Sequence, residues 1–242
     1  MSTPPSAAGR TGLFIVFEGG DSVGKSTQVN LLEASLAQSG IGHLVTHEPG
    51  DTHVGLRIRH LLLDHGTGVV DPRAETLLYA ADKAQHVEEV IRPALAEGTV
   101  VVCDRYVDSM LAYQGAGREL DLSELERLAE WATRGLRPDL TILLDADPVK
   151  AVAKVTSKDR LEDAGLDFHR RVRQFFLDLA GRDPEHYLVV EALTTRDGIA
   201  SEIRGRLAGL GLELSAPSDT LDAKAALPAP ATTVEPSKES QS

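Results

Sequence analysis

Short apolar runs alternate along this chain with longer stretches in which apolar positions return every three or four residues. The runs Leu13–Glu18 (LFIVFE), His43–His47, Thr99–Asp104 (TVVVCD), Leu140–Asp145 (LTILLD) and Tyr187–Glu191 (YLVVE) predict β-strands. Two of them are almost wholly apolar, as expected of parallel strands covered on both faces. The intervening stretches Lys25–Gln38, Val54–Leu63, Arg73–Ala96, Ser123–Arg134, Pro148–Val155, Asp167–Gly181 and Arg196–Ala208 carry the helical period. Ser123 followed by Glu126 has the spacing of a capping box, which would start the fourth of these helices. Strand–helix alternation of this kind predicts a doubly wound α/β sandwich spanning residues 13–214.

The flanks differ. Residues 215–242 are dominated by Pro, Ser, Thr and Ala, with no aromatic residue and no periodic apolar face. Such a segment buries too little surface to offset its ordering entropy, so a disordered, solvated tail is expected there, and a flexible N-terminus over residues 1–12. Residues 1–12 also lack the charged start and apolar stretch of a secretion signal. The net charge of −12 argues against non-specific binding to nucleic acid or anionic membranes, whose phosphates attract basic surfaces. The single cysteine, Cys103, excludes an internal disulfide and a multi-cysteine zinc site, and a reducing cytoplasm is the expected compartment. The eight histidines show no metal-ligand spacing, so no metal site is expected among them. Cys103 is expected inside the third strand, and Trp131 in the core rather than stacked on a base.

Gly19-Gly20-Asp21-Ser22-Val23-Gly24-Lys25-Ser26, continued by Thr27, matches G-x-x-x-x-G-K-[ST] between an apolar strand and an amphipathic helix. Its glycines let successive amide N–H groups turn around an anion, and the following helix adds its positive end. Lys25 would reach the β- and γ-phosphates, while the Ser26 hydroxyl would ligate Mg²⁺. The chain therefore binds a nucleoside triphosphate, taken as ATP. Its sole asparagine, Asn30, lies inside the first helix, so the Asn-Lys-x-Asp motif of GTPases is missing. With about 200 residues of patterned sequence, a small kinase fits better than a motor.

The third strand ends in Asp104-Arg105-Tyr106, followed by Asp108-Ser109-Met110-Leu111-Ala112-Tyr113-Gln114-Gly115. A carboxylate at that strand's end faces the edge of the sheet where the phosphate loop opens. Asp104 can hold Mg²⁺ there, and the Arg105 fork can bridge two phosphoryl groups.

With these motifs in view the sequence resembles the thymidylate kinase family of nucleoside monophosphate kinases. The resemblance also rests on Phe17-Glu18-Gly19 through Gln28, His47-Glu48-Pro49-Gly50, Leu78 through His86, and Asp159 through Phe168, in family order across residues 13–210. It implies a P-loop kinase-type three-layer sandwich with a five-stranded parallel sheet, a short lid, a homodimer, and transfer of the γ-phosphoryl group of ATP to dTMP. It implies that Asp21 meets the 3′-hydroxyl of the acceptor and Arg105 its phosphate. Tyr79 would stack on thymine, Lys83 would reach the base edge, and Tyr113 and Gln114 would lie along sugar and base. Glu48, Pro49 and Ser109 complete the implied acceptor site. The lid is expected around residues 154–163, where Arg160, Lys154 and Lys158 are candidates for an extra catalytic cation, since the phosphate loop carries no arginine.

The chain departs from the family pattern at Ser22, where glycine is usual, and at His47, Asp51, Lys83 and Met110. A kinase of another nucleoside monophosphate or deoxynucleoside, and a non-catalytic nucleotide-binding regulator, are the alternative readings.

Overall fold

The computed structural model describes residues 12–152 and 165–217. The expected lid with Lys154, Lys158 and Arg160, and most of both flanks, lie outside the described residues. Five strands form where the apolar runs predict them: β1 (Phe14–Gly19), β2 (His43–His47), β3 (Val100–Asp104), β4 (Leu140–Asp145) and β5 (Tyr187–Glu191). All pair in parallel, in the order β2-β3-β1-β4-β5. The central strand β1 is buried along its whole length, which explains its apolar run Phe14–Phe17.

Its side chains alternate between two cores, as the two-residue period of a strand requires. Ile15 and Phe17 pack with Val29, Leu32 and Leu36 of α1 (Lys25–Gln38) and with Ile199, Ile203 and Leu207 of a C-terminal helix (Arg196–Ala208). Phe14 and Val16 face the other side, with Cys103, Val87, Ile91 and Leu95. Cys103 is fully buried, as expected, and burial raises its thiol pKa far above the ordinary value.

Three expectations need correction. The stretch read as one helix from Arg73 to Ala96 is α3 (Pro72–His86), a π-helical turn (Val87–Ile91) and α4 (Arg92–Ala96). Pro93 explains the break: it lacks an N–H and its ring crowds the carbonyl four residues earlier, so the ladder widens there. The helix at Ser123 begins earlier, as α6 (Leu122–Thr133), capped by Asp121, whose carboxylate accepts from the Glu124 N–H at 3.0 Å. Ser123 donates to that same carboxylate at 2.6 Å rather than forming the expected capping box. Trp131 is not in the core. The buried stripe of α6 runs through Leu125, Ala129 and Ala132, and Trp131 points off it, 78% exposed.

One helical segment escaped the sequence pattern altogether. After β3 the chain forms α5 (Val107–Met110) and a π-helical turn (Leu111–Gly117). Gly115 and Gly117 allow close packing here. A Cβ on Gly117 would run into the Phe168 ring of α8 (Leu166–Arg182). Arg171 of that helix closes the turn by donating to the carbonyls of Ala116 and Gly117 at 3.1 and 2.9 Å. The remaining described helices are α2 (His53–Leu63), which packs on α3, and α7 (Pro148–Val152), with the C-terminal helix as α9. Among the described residues no helix is long and apolar enough to cross a membrane.

Candidate active site

Because β1 lies between β3 and β4, the loops leaving β1 and β3 open side by side at the carboxyl edge of the sheet. The first is the phosphate loop. Gly24 (φ +96°) leads into α1, so the first amides of that helix point into the loop. Ser22 adopts φ +58°, the left-handed backbone that the glycine usual in the family would take without cost. The loop thus keeps its shape despite the substitution.

Lys25 is buried and donates to the carbonyls of Gly20 at 2.6 Å and Gly19 at 3.2 Å. Burial, reinforced by the neighbouring Arg105, pushes its ammonium down to about 8. The Ser26 hydroxyl donates to Asp104 Oδ2 at 3.3 Å, whereas the buried Oδ1 has no protein partner. An unsatisfied carboxylate oxygen beside a hydroxyl is a donor set suited to a hard cation such as Mg²⁺. Among the described residues no cluster of three or more His, Cys, Asp or Glu side chains could hold a metal on its own.

The second loop holds Arg105 at φ +70°, uncommon for a residue with a side chain and typical of functional positions. Its fork spans three partners: Asp21 Oδ1 at 2.5 Å, the Gly19 carbonyl at 3.0 Å and Ser109 Oγ at 3.1 Å. The guanidinium lies 5.2 Å from the centre of the Tyr113 ring. The Tyr113 hydroxyl in turn donates to Asp21 Oδ2 at 2.8 Å. Burial raises the pKa of Asp21, but Arg105 and Lys25 outweigh it and hold the carboxyl below its ordinary value.

Sequence reasoning had no role for Glu18, and the structure gives it one. Fully buried, it accepts from the N–H groups of Tyr106 (2.8 Å) and Ser109 (3.1 Å) and from Ser109 Oγ (2.5 Å), clasping the turn that carries Arg105. Burial, then the nearby Asp108, pushes its carboxyl up to about 7. The available signal was its position as the lone charge closing an apolar strand.

The acceptor-side residues surround a cleft of about 620 Å³ lined by Lys25, Ser26 and Asp104 as well as by Tyr79, Tyr113 and Gln114. Glu48 lies buried beneath it, paired with Lys83 and with His86 Nδ1 at 2.9 Å. Pro49 and Ser109 also line it. Lys83, expected at the base edge, donates to Glu48 and to the Tyr106 carbonyl at 2.7 Å. Two of its three donors are thereby engaged, and the side chain is 2% exposed. Asp82 accepts from the Gly50 N–H at 3.0 Å, and burial followed by Glu48 pushes its carboxyl up to about 6. Of the remaining sequence-derived candidates, Gly20 and Val23 are brought to the phosphate loop's own side, and Thr27 falls in the first turn of α1. Arg160 is outside the described residues.

Comparisons with known proteins give the family. The family model described as thymidylate kinase matches residues 17–203. A thymidylate kinase of Cutibacterium acnes is 59% identical over 199 residues, covering 82% of this chain and 98% of that protein. One from Clavibacter michiganensis subsp. michiganensis is 54% identical over 204 residues, covering 83% and 96%. The crystal structure of thymidylate kinase from Ehrlichia chaffeensis superposes with a TM-score of 0.67 at 29% identity, covering 83% of this chain and 98% of that one.

Proposed function

The chain belongs to the thymidylate kinase family and uses ATP to convert dTMP to dTDP, and we propose that the cleft between the phosphate loop and Tyr79 is where this transfer occurs. The observation that carries the assignment is the continuity of that cleft, which joins a triphosphate-binding end to an end fitted for a flat base. Two negatively charged phosphates must approach in line, and their repulsion is the barrier that the site lowers.

Arg105 receives the acceptor phosphate, with Asp21, the Gly19 carbonyl and Ser109 holding its fork in place. Lys25 leaves the Gly19 and Gly20 carbonyls for the β- and γ-phosphates. A phosphate monoester loses its second proton at a pKa of about 6, so the acceptor oxygen is already ionised at neutral pH. No general base is needed, and Asp21 and Asp104 orient rather than deprotonate. Ser26 and Asp104 would hold Mg²⁺, which when bound offsets charge on the transferring phosphoryl group. Arg160, with Lys154 and Lys158, is the proposed source of an additional cation.

Tyr79 presents a ring to the base, so Tyr79→Ala should raise the KM for dTMP about tenfold or more while sparing the KM for ATP. Base–aromatic stacking is worth about 1–3 kcal/mol in comparable sites. Steady-state kinetics at saturating ATP check this, and an unchanged dTMP KM would remove Tyr79 from the site.

A homodimer belongs to the same proposal. Helices α2, α3 and α6 pack side by side, and their outer faces carry Leu56, Leu61, Leu77 and Trp131 exposed to solvent. Apolar side chains grouped on one face mark an interaction surface. Light scattering should give twice the chain mass of 25.9 kDa, and the mass of a single chain would overturn the proposal. A cytoplasmic location, which cell fractionation checks, suits a chain whose single cysteine is buried and reduced.

A further inference from the structure

Gln114 is 1% exposed and lines the acceptor end of the cleft, yet its amide is not free to turn. Its Nε2 donates to Glu75 Oε1 at 2.9 Å. Glu75 is fully buried on the first turn of α3, four residues before Tyr79 and therefore on the same face of that helix. Arg118 holds the carboxylate from the other side, with Nε 3.3 Å from Oε1 and Nη2 3.3 Å from Oε2. Arg118 is itself fixed, its guanidinium 5.4 Å from the centre of the Phe168 ring and its N–H donating to the Tyr113 carbonyl at 2.9 Å.

A primary amide has a donor end and an acceptor end, and its partner decides which faces where. A carboxylate held by arginine only accepts, so it takes the NH₂ end of Gln114. That leaves Oε1, a pure acceptor, as the end of the amide that Glu75 does not engage, on a residue that lines the cleft.

We propose that Glu75 is a positioning residue that sets base specificity by fixing the amide of Gln114. Its Oε1 then accepts from a pyrimidine bearing an N–H at ring position 3, as thymine and uracil do. Cytosine carries a lone pair at that position, and two acceptors would face each other. The proposal rests on the reading that the acceptor base lies between Tyr79 and Gln114. A site built to hydrogen-bond a particular group rejects analogues lacking it by about 10⁴-fold, far more than a methyl group achieves. Glu75→Gln would remove the constraint, because the new amide can pair with either end of Gln114.

The test compares kcat/KM for dUMP and dCMP, which differ in polarity at the base edge but share the absence of a 5-methyl group. Wild type should favour dUMP by about 10³-fold or more. In Glu75→Gln that ratio should fall at least tenfold, mainly through KM, with the KM for ATP unchanged. A fall in overall rate with the dUMP:dCMP ratio intact would mean that Glu75 only supports the fold, and would overturn the proposal. Should Glu75→Gln fail to fold, a crystal structure of wild type with dTMP decides. Oε1 within hydrogen-bonding distance of base N3, with Nε2 still on Glu75, supports the proposal; a base edge not met by Gln114 overturns it. Wild-type turnover of purine in place of pyrimidine monophosphates would remove the underlying reading, and the proposal with it.

Discussion

Arg105→Ala should lower kcat/KM for dTMP by about 10²- to 10³-fold, a loss of about 3–4 kcal/mol of transition-state stabilisation. The guanidinium lines the cleft beside the phosphate loop and is held in a fixed orientation. Asp21, the Gly19 carbonyl and Ser109 Oγ hold it from three directions, and Tyr113 covers one face. Little reorganisation is therefore needed when phosphate arrives, which is the condition under which a charge contributes most to catalysis. Arg105→Lys should recover only part of the loss, because a point charge cannot bridge two phosphoryl oxygens while keeping its bond to Asp21. Circular dichroism must show the fold intact in both variants. Near-normal turnover in folded Arg105→Ala would place the acceptor phosphate elsewhere.

Lys25→Ala should reduce kcat/KM by a comparable 10²-fold or more, yet leave the ligand-free protein no less stable at pH 7. The two effects share a cause. Without a phosphate, Lys25 is a buried cation beside Arg105 whose described hydrogen bonds go to two backbone carbonyls, and its pKa falls to about 8 despite Asp104, Asp21 and Glu18 nearby. A base whose pKa is lower folded than unfolded binds its proton less tightly in the fold. It therefore costs stability below pH 8, and the cost fades as pH rises from 8 towards 10.5. Removing it relieves that cost at pH 7 while depriving the transferring phosphoryl group of its nearest charge. Melting curves at pH 7 alongside kinetics check both halves. A folded variant with wild-type turnover, or a marked drop in melting temperature, would contradict this account of Lys25.

The strands were legible because parallel strands buried on both faces need unbroken apolar runs, and β1, β3 and β4 supply them. The phosphate loop was legible because it depends on local backbone chemistry, and even Ser22 follows the glycine-like conformation its position requires. What escaped depends on contacts distant in sequence. No helix was read directly after β3, because Gly115 and Gly117 pack there against Leu122 and Phe168, which lie on other helices. Trp131 looked like core because size alone suggested burial, while the narrow stripe through Leu125, Ala129 and Ala132 left it outside. Lys83 could be placed at the cleft through the family resemblance, but its pairing with Glu48, 35 residues away, could not. Glu18 and Glu75 followed the same logic, each a single acidic residue whose meaning lies in donors from a distant segment.

The central claim is that one cleft joins ATP to a pyrimidine acceptor, and a coupled ADP-release assay over a panel of nucleoside monophosphates, with ATP and Mg²⁺ held saturating, tests it most directly. dTMP should be the best acceptor. dUMP should follow by a moderate factor, since one methyl in an apolar pocket is worth about 1–3 kcal/mol. AMP and GMP should be very poor, because the wider purine does not fit beside Tyr79. AMP or GMP as the best acceptor, or no ADP release above the ATP-only rate with any pyrimidine monophosphate, would contradict the account.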